Sequence, residues 1–426
     1  MTWFAILILV LIVLKLLVQL ALEQLNQRNV LSHGQNVPEP FKNIIDEPTY
    51  RRSVEYTLAK GRLRQLELTY NTIVLLVVLF SGVLAWSFGV FRQAFGESAW
   101  SMAAFLLLVG VALALPGLPL DWYDQFRLEE RFGFNTTTAK LWWLDRAKGL
   151  VLSVLLGYPL LLLILTLARW SGAAWWAWTW AALLAFQLLM AVLAPVIILP
   201  LFNKFTPLPE GDLRDRLLAL AGRTQFRAQS VQVMDGSKRS RHSNAFFTGF
   251  GKFRKIVLFD TLIQQLDNGE LEAVLAHEIG HYKKRHIPKM LLASSAGTLA
   301  GFYLLSWLAR QPWFFHSFGF EPGSLVPALL LFGLLSGVVT FWLSPLAHAW
   351  SRRYEYQADA FAAKVMDGSR ALISALRKLN EKNLSNLTPH PLYSGFYYSH
   401  PTLMERERAL NGPESSSGAG GQRAMA

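Results

Sequence analysis

The chain of 426 residues contains no cysteine. Disulfide bonds and thiolate metal ligands are therefore both excluded. Charge is scarce as well: 16% of the residues are Asp, Glu, Lys or Arg, against about 25% in an ordinary soluble domain. Apolar residues fill the gap at 52%, and mean hydropathy is positive, the balance of a membrane protein. Acidic residues are fewer than basic ones, 29 against 41, which leaves a net charge of +12. In a soluble chain that excess would raise nucleic acid as a partner. In a membrane chain its distribution decides the matter.

Seven apolar runs are long enough to cross about 30 Å of hydrocarbon. They cover roughly Trp3 to Leu20, Tyr70 to Val90, Trp100 to Leu120, Gly149 to Trp170, Ala174 to Leu201, Met290 to Leu308 and Ser324 to His348. No small-residue cleavage pattern follows the first run, so it reads as a retained span and not as a signal peptide. Of the 41 Lys and Arg, 37 fall at 21–69, 121–148, 202–289 and 349–426, while the intervening loops hold only Arg92, Arg169 and Arg310. Because basic residues stay on the cytoplasmic side, those four segments are expected in the cytoplasm and the N-terminus outside. Trp170, Trp175, Trp176, Trp178, Trp307 and Trp313 gather at the outer ends of spans, as an interfacial belt should. The excess of base is thus topology, and nucleic acid is not expected as a partner. The bilayer is.

The largest soluble segment, 202–289, carries the chemistry. Asp212 to Arg223 has helical periodicity. Gln229 to Met234, Ala245 to Thr248 and Lys255 to Asp260 read as strands, the last two joined by a turn near Gly249 and Gly251. Next comes His277-Glu278-Ile279-Gly280-His281. Asp267 and Asn268 are cap residues, and Leu271, Val274, Leu275 and Ile279 form an apolar stripe, so the motif lies on a helix. Two histidines at i and i+4 share one face and can hold one zinc ion, with Glu278 beside them as general base. Gly280, a poor helix former, suggests a crowded site. The strands either build a small α+β domain and nothing more, or offer an edge to an extended peptide.

Two histidines need a third ligand. His286 lies about 140° round the helix from His281 and is expected to face away. A carboxylate from Arg352-Arg353-Tyr354-Glu355-Tyr356-Gln357-Ala358-Asp359 is the better candidate. Glu355 and Asp359 share a helix face; one can bind zinc and the other can hold a ligating histidine from behind. The bland alternative is a solvated acidic face paired with Arg352 and Arg353. Topology permits the ligand set: Glu355 lies 74 residues beyond His281, and two spans between them return the chain to the same side. An open two-His, one-Glu site is catalytic in type, whereas structural sites are closed by four protein ligands.

Several motifs in order now carry a resemblance over nearly the whole chain. They are Phe132-Gly133-Phe134-Asn135, Pro200-Leu201-Phe202-Asn203, His242-Ser243-Asn244-Ala245-Phe246-Phe247, Ile256-Val257-Leu258-Phe259-Asp260, His277 to His281, Glu355 with Asp359, and Tyr398-Ser399-His400-Pro401. The chain resembles the integral-membrane zinc metalloproteases of the Ste24 type, the CAAX prenyl proteases of peptidase family M48. The resemblance implies one zinc ion held by His277, His281 and Glu355, with Glu278 as base and Asp359 behind a ligand. It also implies that His400 steadies the oxyanion and that Asn244, Ala245 and Phe246 hold the peptide. Phe246 stands where many members have Tyr, so no phenol is available there. Read without the resemblance, His400 would sooner be a cap or a packing residue.

The fold expected is a multi-span α-helical membrane protein, seven transmembrane helices plus a cytoplasmic α+β, gluzincin-like zinc-metallopeptidase domain. Its parts would be 1–201 with five spans, 202–289 with the zinc helix, 290–348 with two spans, 349–410 completing the peptidase, and a Gly/Ser-rich disordered tail at 411–426. The expected activity is zinc endopeptidase cleavage of peptide or protein substrates. By resemblance this is removal of the last three residues of prenylated CAAX C-termini, in a bacterial inner membrane or in the endoplasmic reticulum or inner nuclear membrane. The alternatives are a broad quality-control protease of the shorter HtpX type, an intramembrane site-2 protease, and a non-enzymatic transporter or scaffold with structural zinc. The site-2 reading fits poorly, because this motif follows a polar loop and precedes Lys283-Lys284-Arg285.

Overall fold

A computed structural model of the chain describes residues 2–42, 45–226, 228–248 and 254–412. Among them, seven helices are long and apolar enough to cross a membrane: Trp3–His33, Glu47–Phe80, Ala99–Glu129, Ala139–Trp170, Gly172–Phe202, His286–Leu308 and Leu325–Val365. The chain is therefore a multi-pass membrane protein. Several of these helices, such as Trp3–His33 and Leu325–Val365, run well past the apolar runs that announce them, because a helix does not end where its hydrophobicity does. One expectation needs correction. The run Tyr70 to Val90 is not a single helix. The helix ends at Phe80, and a second begins at Val83 after Gly82, whose φ of +79° is left-handed and open to glycine without strain. The expected turn at Gly249 and Gly251 and most of the expected tail lie outside the described residues.

The chain forms two compact units. One comprises 1–23, 61–198 and 289–343, the other 24–60, 199–288 and 344–426. The first has its own apolar core, with Phe88, Phe105, Phe314 and Phe315 packed among Leu and Ile from several spans. Residues such as Leu7, Val10, Trp86, Leu155 and Leu292 are left exposed on the helix exteriors, as surfaces that meet lipid should be. Lys15, the one cation within the first apolar run, donates to Gly337 O at 3.1 Å.

The second unit holds a four-stranded sheet in the order β1-β2-β4-β3. The strands are β1 (Phe205–Pro207), β2 (Ala228–Met234), β3 (Ala245–Thr248) and β4 (Arg254–Phe259). β2 and β4 are parallel, and the outer strands pair antiparallel to them. Ile256, Val257 and Leu258 of β4 are all buried, as a central strand covered on both faces requires. β1, only three residues long, carries too little pattern to be read from sequence. Helix α1 (Asp212–Arg223) covers the sheet, through Leu217 and Leu220. The expected strands and this helix are all present, within one residue or so.

Helix α2 (Asn268–Lys283) follows β4 and carries the His-Glu-x-x-His motif. Its start is fixed by a capping box. Asp267 accepts from the Glu270 amide, and Glu270 reaches back to the Asp267 amide, both at 2.9 Å. Glu270 is buried and also accepts from Ser374 Oγ at 2.6 Å and Lys378 Nζ at 2.7 Å, which ties α2 to a later helix, Arg370–Lys382. One side chain thus fixes both the start and the seating of the motif helix. Glu270→Ala is expected to cost about 1–3 kcal/mol, since it removes a cap and the half-buried bonds from Ser374 and Lys378. A fall of several degrees in the thermal midpoint of the purified protein would show it; an unchanged midpoint would mean that the seating is held elsewhere.

Candidate metal centre

His277 and His281 lie one turn apart on α2, and Glu355 lies on helix α3 (Ser344–Val365). α2 and α3 cross at Gly280. A Cβ there would stand 2.9 Å from Ala358 Cα and 3.1 Å from Ala358 O, closer than any real side chain approaches. The glycine is thus required by contact, and the crowding read from the sequence is the crossing itself. Gly280→Ala should force α3 away by a few tenths of an ångström and carry Glu355 with it. We expect about a 10–100-fold loss of metal affinity, the scale of an overpacking cost of about 1–3 kcal/mol. Titration of the metal-free protein measures it, and parental affinity would contradict the account.

The three side chains converge. His277 Nε2 and His281 Nε2 are 3.2 Å apart. Glu355 places Oε2 3.4 Å from His277 Nε2 and Oε1 3.4 Å from His281 Nε2. Ligand atoms about 2.0–2.1 Å from a tetrahedral metal are about 3.3–3.4 Å from one another, so these separations fit one ion. Glu355 is 4% exposed, and its buried Oε2, 3.4 Å from His277 Nε2, makes no aligned hydrogen bond among the described residues. Leaving a carboxylate oxygen so is costly, and a cation would satisfy it. Among the described residues, this is the group of His and carboxylate side chains able to hold a metal.

The surroundings orient the ligands. His277 Nδ1 donates to Asp359 Oδ1 at 2.8 Å, so Nε2 is the ring nitrogen turned toward the cluster. Asp359 is 1% exposed and is gripped by Arg406, through Nε at 2.8 Å and Nη2 at 2.5 Å. Arg406 was not expected from the sequence, where it is one base in the acidic-basic alternation Glu405-Arg406-Glu407-Arg408. The alternative of Asp359 and Glu355 as a solvated face does not hold. Both are buried, and Arg352 turns elsewhere, donating to Gly395 O and Tyr398 O.

Burial lowers the His277 pKa, but the adjoining carboxylates of Asp359 and Glu355 more than reverse this and raise it to about 9. Burial and the adjacent His277 charge depress His281 to about 4. Burial pushes Glu278 up, and no hydrogen bond engages its carboxyl among the described residues. His400 is 64% exposed, with Nε2 3.4 Å from Glu355 Oε1, so it stands at the mouth of the cluster and is not confined to a packing role. Its Nδ1 faces Ser399 Oγ at 3.0 Å.

The expectation for His286 is overturned. α2 ends at Lys283, and Arg285 takes a left-handed φ of +56°. The chain reverses there, so the angular spacing of an unbroken helix no longer applies. His286 comes within 3.1 Å of His281, behind the cluster. His348, the other histidine near Glu355 in sequence, instead contacts Phe396 O at 2.6 Å. β3 is an edge strand. Its Ala245 and Phe247 lie opposite Leu258 and Ile256 of β4, and the Ala245 amide bonds to Asn244 Oδ1 at 2.8 Å.

Two family profiles match end to end. The CAAX prenyl protease N-terminal domain, with five membrane helices, matches residues 26–204, and peptidase family M48 matches 207–414. The chain belongs to peptidase family M48. It is 37% identical to CAAX prenyl protease 1 of Saccharomyces cerevisiae over 401 residues, 88% of each chain. It is 36% identical to the Arabidopsis thaliana homolog, covering 89% of this chain and 91% of the other, and 34% identical to the human homolog over 90% of each. The crystal structure of Saccharomyces mikatae Ste24p superposes with a TM-score of 0.89 at 33% identity, covering 96% of this chain and 99% of that one. This M48 member is a membrane metalloprotease, and the family implies a metal, typically zinc.

Proposed function

We propose that this peptidase is a zinc endopeptidase that trims prenylated CAAX C-termini, with His277, His281 and Glu355 as zinc ligands and Glu278 as base. The observation that carries the reading is the convergence of the ligand atoms, with the two Nε2 atoms 3.2 Å apart and each 3.4 Å from one of the two Glu355 oxygens, and Glu278 beside them on the same helix. Zinc bound there supplies Lewis acidity, which polarises a scissile carbonyl and eases deprotonation of water.

Everything else falls to the chain. Glu278 lies one residue, about 100°, from His277, so its carboxyl flanks the ligand face and does not complete it. Burial raises its proton affinity, which suits a group that takes a proton from water and returns it to the leaving amine. Asp359, fixed by Arg406, holds His277 in the ligating tautomer. His400, exposed beside Glu355, can donate a ring N–H to the oxyanion as it develops.

The substrate lies along β3, with Asn244, Ala245 and Phe246 holding it. Phe259 donates its amide to Asn244 O. In an antiparallel pair the bonding direction alternates, so Phe246 bonds toward β4, while the Ala245 carbonyl and the Phe247 amide point to the free edge. An extended peptide can pair there. The relatives are named CAAX prenyl proteases, and on that ground the peptide is a prenylated CAAX end from which three residues leave. The Lys and Arg bias supports a cytoplasmic site and an outside N-terminus. In this reading, 202–289 and 349–410 build the peptidase on either side of spans at 290–348.

Two measurements test this. A farnesylated CAAX peptide and its unprenylated twin are offered to the purified protein, and only the farnesylated one should be cut quickly. Glu278→Gln should keep its zinc and lose at least about 100-fold in turnover, the scale of general acid–base catalysis. Near-normal turnover in Glu278→Gln would remove the mechanism, and equal cleavage of the twins would remove the prenyl specificity.

The ligand set has its own test. Glu355→Ala should purify with little zinc, and Asp359→Ala should keep some, recoverable with excess metal, as loss of a supporting partner costs about 10–100-fold. His348→Ala should load normally. Full zinc in Glu355→Ala together with loss in His348→Ala would reassign the third ligand.

A further inference from the structure

The two histidines are supported from behind by different chemistry. His277 rests on a carboxylate, Asp359, itself paired with Arg406. Behind His281, among the described residues, no carboxylate is a hydrogen-bond partner. Its Nδ1 meets Nδ1 of His286 at 3.1 Å, and His286 Nε2 meets Gln357 Oε1 at 3.0 Å. His286 is 1% exposed, and its ring is stacked on Tyr354 at 4.0 Å with only 9° between the planes. The stack fixes the plane of the ring, and the bonds to His281 and Gln357 fix which nitrogen faces which. Gln357 is on the same helix as Glu355, two residues on, and is exposed.

Protons can occupy such a chain in two ways. Suppose the Gln357 oxygen accepts. His286 then carries its proton on Nε2 and offers a lone pair at Nδ1, so His281 donates from Nδ1 and is left with a free lone pair at Nε2. Suppose instead that the amide nitrogen donates. Every proton shifts along by one, and His281 is protonated at Nε2, the atom that faces His277 and Glu355. Only the first arrangement leaves a ligand. We propose that His286 and Gln357 form a neutral relay that fixes His281 as an Nε2 ligand. They are positioning residues, acting through hydrogen-bond direction and not through charge. Arg285 makes this possible, because its left-handed backbone turns His286 back onto His281.

The inference rests on the zinc reading of His277, His281 and Glu355, and its test is metal affinity. Zinc binding to the full-length, metal-free protein in detergent is measured by competition with a chromophoric chelator, beside the thermal midpoint of the metal-free form. Gln357→Met removes the acceptor at an exposed position and should weaken zinc by about 10–100-fold with the midpoint unchanged. Gln357→Glu restores an acceptor and should bind zinc at least as tightly as the parent. His286→Phe keeps a ring to stack on Tyr354 but has no nitrogen, and should weaken zinc as Gln357→Met does. Parental affinity in Gln357→Met, or equal loss in Gln357→Glu and Gln357→Met, overturns the relay while leaving the ligand set intact. A parent protein that binds no zinc overturns both.

Discussion

The contact on which the site depends is the crossing of α2 and α3 at Gly280 and Ala358. At 2.9 Å from a would-be Cβ to the Ala358 Cα, the two backbones are about as close as helices come. That approach lets a glutamate reach two histidines on the facing helix, and it lets Asp359 reach round to the back of His277. Glycine inside a helix costs roughly 1 kcal/mol relative to alanine. α2 carries that cost in its last turns, and it is secured at its first turn by the Asp267–Glu270 box and the Ser374 and Lys378 contacts. The helix is strong where nothing reacts and glycine-weak where the chemistry is crowded.

Charge is the second constraint. Glu355, Asp359, His277 and Arg406 are all buried, and buried ions persist only when paired. Asp359 and Arg406 cancel. Glu355 and the neighbouring Glu278 do not, which leaves the pocket short of positive charge. In the metal-free protein His277 answers that shortage. Its burial disfavours the charged ring, yet the carboxylates hold a proton on it up to about pH 9. A divalent ion held by His277, His281 and Glu355 would supply that charge in place of the proton. The charge of the pocket thus suits a bound cation, in agreement with the geometry of the three side chains.

Much of this was legible in the sequence. The i, i+4 spacing put His277 and His281 on one face, Asp267 announced the helix start, and Gly280 announced the crowding. Glu355 was reachable because two apolar runs separate it from His281, so the parity of spans stood in for distance. What escaped notice shares a cause. Arg406 lies 47 residues from Asp359 and sits among exposed-looking charges, so no local pattern marks it. His286 was misjudged because helical angles were carried through Arg285, a residue with no obvious reason to be left-handed. The break at Gly82 lay inside a run whose hydropathy never falters. Periodicity reports faces of regular elements, and it is silent where an element stops.

Chain order adds a last consequence. His277 and His281 come before the segment 290–348, while Glu355, Asp359 and Arg406 come after it. Two histidines alone make a poor zinc site, since the third ligand and the carboxylate that orients His277 are both missing. On the relay proposed above, His281 would lack its support as well, because Tyr354 and Gln357, which contact His286, lie on α3. On the proposed ligand set, each histidine on α2 depends on α3 for its orientation, and the close crossing at Gly280 brings α3 within reach. Ligand, tautomer and base are consequently not separate features that happen to coincide. They form together when one helix packs on another, and none of them has its chemical meaning until that packing is made.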